Sequence, residues 1–73
     1  MAISVIETRF KRALAHLKRA RREIAPLLYD VIERDNSDMF SAFEVRDGFR
    51  ELRTSLVKLG LYQFGVDLPR RKA

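Results

Sequence analysis

The side chains placed to do chemistry in this sequence are cations. From Arg9 to Arg22 seven of fourteen residues are lysine or arginine and none is acidic. Such a run offers electrostatic recognition of phosphate or carboxylate, not bond making or breaking. Lys11, Arg12, Lys18, Arg19 and Arg22 are the binding candidates within it. A second set, Arg46, Arg50 and Arg53, recurs at spacings of four and three, but Glu44, Asp47 and Glu51 are interspersed, so intrahelical pairing is its expected use.

Catalytic chemistry lacks its parts. His16 is the single histidine, no cysteine is present, and no well-spaced carboxylate pair accompanies the imidazole. A metal site or a nucleophile–base pair would need such company. The glycines of "KLGLYQFGVDLP" do not have phosphate-loop spacing. The expectation is a protein that is not an enzyme and uses no metal or cofactor.

The net charge of +5 and the isoelectric point near 10.2 favour acidic partners. With 47% hydrophobic and 34% charged residues, the composition is that of a folded helical chain and not of a disordered one. No apolar run approaches the roughly 20 residues of a membrane span, and "MAISVIETRF" lacks signal-peptide character. A cytoplasmic location without membrane association is expected.

These cations must be held by helices. Ile3, Ile6, Phe10, Ala13, Leu17, Ala20, Ile24, Leu27 and Val31 follow one another at alternating spacings of three and four, the stripe of a long helix in a bundle. Leu14 and Leu28 widen it. "SVIE" at Ser4 to Glu7 fits a capping box, which starts the helix at about residue 4. Pro26 interrupts the pattern, yet Leu27 and Val31 keep its phase, so a continuous helix over about 4–34, kinked near Pro26, is predicted; the alternative is a break at Ala25 with Pro26 opening a new helix. "RDNSD", Arg34 to Asp38, is the turn.

A second seam, Ala42, Val45, Phe49, Leu52, Leu56 and Leu59, predicts a helix over about 38–59. Its start has cap candidates at Asn36, Ser37 and Asp38 and a further S-x-x-E at Ser41 to Glu44, and Gly60 is the expected stop. The fold class is therefore all-α: one domain over 1–73, an antiparallel helical hairpin with an apolar tail. Leu61, Tyr62, Phe64, Val66 and Leu68 of that tail fold back on the first helix or dock on another chain, and residues 69–73 fray.

With this phasing the basic run lies opposite the apolar seam, either as a wet face or as a docking stripe. Asp30, Glu33, Asp35, Asp38, Glu44 and Asp47 gather toward the hairpin tip, so charge is polarised along the axis. Tyr29, Ile32, Met39, Phe40 and Phe43 cluster off the seams near the tip, more apolar surface than two helices hide, and form the candidate interface. The functional expectation is a protein–protein interaction module of adaptor, inhibitor or assembly-factor type, such as bacterial regulators or phage accessory genes supply. Its partner has an acidic surface, and it completes its bundle as a homodimer. The alternative is a nucleic-acid-binding protein using the basic stripe.

Overall fold

A computed structural model describes residues 2–34 and 39–68. Two helices, α1 over Ile3–Glu33 and α2 over Met39–Phe64, pack against each other as an all-α hairpin. The arrangement is antiparallel: Phe10 near the start of α1 meets Phe64 at the end of α2, with ring centroids 5.7 Å apart. The molecule is long and thin, 48 × 21 × 19 Å. Asn36, Ser37 and Asp38 of the expected turn and the expected frayed segment 69–73 lie outside the described residues.

Helix α1 begins one residue earlier than the capping box predicts. Ala2 is the extended N-cap residue and no side chain caps it; its carbonyl accepts from the N–H groups of Val5 and Ile6 at 3.0 and 3.2 Å. Ser4 is inside the helix, where its carbonyl accepts the Thr8 hydroxyl at 2.8 Å. Glu7 turns forward instead of back and pairs with Lys11 at 2.9 Å. A salt bridge to the following turn has displaced the expected cap.

Pro26 is accommodated within α1, which runs on to Glu33. Its ring is on the exposed side, where water can satisfy the carbonyl of Arg22 that a proline cannot bond. At the far end Arg34 caps the helix through its N–H to the Asp30 carbonyl at 3.1 Å, and its guanidinium reaches the Asp30 carboxylate at 3.0 Å. That cation partly offsets the acids Asp30 and Glu33 at the negative end of the helix dipole.

The seams are rotated from their predicted phase. Ile3 and Leu27 are about 60% exposed and Ala20 is also on the surface, whereas Leu14, Ala25, Leu28 and Ile32 are half-buried with Ile6, Phe10, Ala13, Leu17, Ile24 and Val31. A straight α-helix turns 100° per residue, so a row repeating every 3.5 residues drifts about 20° per heptad and cannot stay on the contact face for four heptads. On α2 the predicted Ala42, Phe49 and Leu56 do face inward, joined by Val57 and Gly60, while Val45, Leu52 and Leu59, the alternate positions of that seam, lie on the exposed side.

Helix α2 also passes its expected stop. It continues through Gly60 to Phe64, and Gly65, at φ +66°, ends it in the left-handed conformation. The Gly65 N–H donates to Leu61 at 3.1 Å and the Val66 N–H reaches back to Gly60 at 2.8 Å. This reversal lays the chain back along the hairpin and buries Val66 and Leu68, which with Ala42 are the buried hydrophobic residues among those described. Gly60 is needed for a different reason: a Cβ there would sit 3.0 Å from Leu68 Cδ1 and 3.6 Å from Phe10 Cδ1. The absent side chain is the seat of Leu68. Ser41 lies within the first turn of α2, so its S-x-x-E is not a cap either.

Candidate interaction groove

The two helices leave an open furrow along one side. Its larger hollow, about 430 Å³, has Leu14, Leu17 and Phe49 as apolar lining and Lys11, Lys18, Arg21 and Arg53 around them, with Ala15 completing the wall. A second hollow of about 200 Å³ is lined by Arg21, Ala25, Leu28, Tyr29, Arg46 and Arg50. Arg21 belongs to both, so they form successive parts of one groove.

Helical geometry explains the composition. Lys11, Leu14, Lys18, Arg21, Ala25 and Leu28 follow at spacings of three and four, which keeps them along one edge of α1 beside the buried stripe. Arg46, Phe49, Arg50 and Arg53 do the same on α2. Antiparallel packing sets these edges side by side, and among the described residues no carboxylate lines either hollow.

The cations differ in their local partners. Lys11 is paired with Glu7. Arg46 approaches Asp47 at 3.7 Å and lies over the Phe43 ring, its guanidinium carbon 4.8 Å from the centroid. The side chains of Lys18, Arg21 and Arg50 have no ion pair or hydrogen bond among the described residues. Exposed side chains of this kind are fully hydrated, so a ligand must displace water to reach them, and the gain comes from bringing several anions at once.

Of the predicted basic set, Lys11 and Lys18 are on the groove, flanking the contact face and not opposite it. Arg12, Arg19 and Arg22 are exposed outside the lining. Arg21, Leu14 and Phe49 are the groove residues that the residue pattern left out of the candidate set. A count of seven from Leu14 reaches Arg21 and Leu28, so the flank of the α1 seam carried this signal, while Phe49 was read only as a residue of the α2 seam. Of the apolar set, Tyr29 and Phe40 are exposed at 63% and 73%, while Ile32, Met39 and Phe43 are half-buried. Tyr29 borders the smaller hollow.

Among the described residues no group of three or more His, Cys, Asp or Glu side chains is placed to hold a metal ion, and no helix is long and apolar enough to cross a membrane. Comparison with models of known protein families, with curated proteins and with solved structures gives no match.

Proposed function

We propose that this chain is a non-enzymatic, cytoplasmic protein-interaction module, an adaptor, inhibitor or assembly factor whose groove takes an acidic amphipathic segment of a partner protein. The observation behind the reading is the groove's two-part character: an apolar floor of Leu14, Leu17 and Phe49 between cationic edges contributed by both helices, with no acid among the described lining residues. An incoming helix with aliphatic or aromatic residues on one stripe and Asp or Glu beside it meets both requirements. Its apolar stripe removes the floor from water at about 25 cal/mol per Å², and its carboxylates set orientation and raise the association rate.

A second reading is nucleic-acid binding. It is favoured by the convergence of Lys18, Arg21 and Arg50, from two helices, on one side of the molecule without local partners. Phosphate recognition has no use for Leu17 and Phe49. It would show a log K that falls by about 0.9 for each phosphate neutralised as log salt rises.

One experiment separates them. The immobilised chain and its Lys18→Glu/Arg21→Glu/Arg50→Glu variant are exposed to native lysate with and without nuclease, and retained proteins are compared. Retention that survives nuclease and is lost in the variant supports the groove as a protein site. Retention that nuclease abolishes transfers the assignment to nucleic acid, and retention unaffected by the three reversals removes the groove from either role.

A further inference from the structure

The side of α2 turned away from the groove carries a second regular row. Ser41, Val45, Gly48, Leu52, Ser55, Leu59 and Tyr62 follow at spacings of four, three, four, three, four and three, and all are exposed. Val45, Leu52 and Leu59 keep 43%, 50% and 45% of their surface in water, and Tyr62 keeps 72%. None of them lines a groove hollow. From Ser41 to Leu59 small residues alternate with large ones, Tyr62 adding a further large one, and the position of a Gly48 Cβ has nothing within 4 Å.

The hairpin as a whole leaves more surface in water than a compact chain of its size, and this row is part of it. A compact monomer of 8.6 kDa exposes about 4,700 Å². This chain exposes 6069 Å². The excess is larger than the roughly 800 Å² that each partner contributes to a standard protein interface.

We infer that the row is the seam of a homodimer in which α2 packs antiparallel against α2 of a second copy, making a four-helix assembly with the two-fold axis between Arg53 and Thr54. Shape selects the occupant. In this register Gly48 lies against Leu59 of the second copy and Leu52 against Ser55, so the small residues of the central layers receive large ones, while Val45 and Tyr62 meet at the ends. A parallel in-register pair would set Gly48 on Gly48 and Leu59 on Leu59, leaving gaps at some layers and crowding at others.

Charge selects the same direction. Glu44, Glu51 and Lys58 recur every seven residues along one edge of the row. Glu51 and Lys58 have no ion pair among the described residues. The antiparallel register sets Glu51 and Lys58 of the second copy on the same edge, about 3 Å apart along the axis and within side-chain reach, and the two-fold axis repeats the pair. In a parallel dimer this edge would face Ala42, Phe49, Leu56 and Gln63, which carry no charge to meet it. The dimer leaves both grooves open, so it stands independently of what they bind.

Sedimentation equilibrium of the full chain, from low micromolar to near millimolar concentration, tests the assembly. Dimerisation is expected, abolished by Leu52→Glu. Glu51→Lys and Lys58→Glu should each weaken it about tenfold, because each turns two attractive cross-pairs into repulsive ones, and the double exchange should restore it. All three side chains are exposed, so circular dichroism should report unchanged helix content in every variant. A monomer throughout the range, a dimer indifferent to the single reversals, or single losses that the double exchange does not recover would each overturn the inference.

Discussion

Adding a methyl group to α2 should have opposite consequences at two glycines. Gly48 is a helix-interior residue whose Cβ would enter open space, so Gly48→Ala should raise monomer stability by about 1 kcal/mol, read by urea unfolding at concentrations below dimerisation. At Gly60 the same methyl meets Leu68 Cδ1 at 3.0 Å, and the tail must shift to admit it. Any gain in helix propensity is then spent on displaced packing. The tail itself is the more sensitive site: Leu68 is 2% exposed, and Leu68→Ala should cost about 3 kcal/mol in the same measurement. Sequence pattern places a helix stop at Gly60 because glycine after a periodic run usually marks one. What overrides that local signal is where Leu68 comes to rest, a contact no window of neighbouring residues contains.

At the scale of the element, the proline in α1 withholds a hydrogen bond from a helix that otherwise runs for 31 residues. Pro26 is exposed, so replacement should relieve this without disturbing the packed face. Pro26→Ala is expected to stabilise the hairpin by about 2 kcal/mol, the recovered bond outweighing the greater freedom of the unfolded chain; thermal and urea unfolding check it. Both helices and their antiparallel packing were legible in the residues, because apolar spacing reports helix and a polar run separates the two seams; the tail's return was one of two readings the residues allowed. The phase was not legible. Ile3 and Leu27 satisfy a 3.5-residue count yet lie on the surface, while Leu14 and Leu28, on the flank of that count, are half-buried. A heptad count presumes supercoiling, and nothing in the spacing alone says whether two short helices supercoil or stay straight. That rotation also hid the groove, because it moved Lys11, Lys18 and Arg21 from the far side to the edge of the contact.

Across the whole molecule the groove concentrates positive charge, three cations of which make no local pair that holds the fold. Lys18, Arg21 and Arg50 have no local partners, so their combined reversal to glutamate should leave unfolding within about 0.5 kcal/mol of the parent while removing partner binding. Denaturation and the retention assay on the same variant read the two effects separately. Stability rests instead on the packed face and on the cluster at the open end, where Phe10, Gly60, Phe64 and Leu68 meet.

That cluster also sets the order of folding. The hollow beside the turn brings Leu28 near Arg46, 18 positions apart in the chain, whereas Phe10 and Phe64 are 54 positions apart. Closing a loop three times longer costs about 1 kcal/mol more in chain entropy, so helix pairing should start near the turn and travel outward, with the tail docking after the rate-limiting barrier. In stopped-flow measurements Leu68→Ala should therefore leave the refolding rate nearly unchanged and take almost its whole effect in faster unfolding. The reversal at Gly65 acts as a latch, closing last and governing how long the hairpin stays shut.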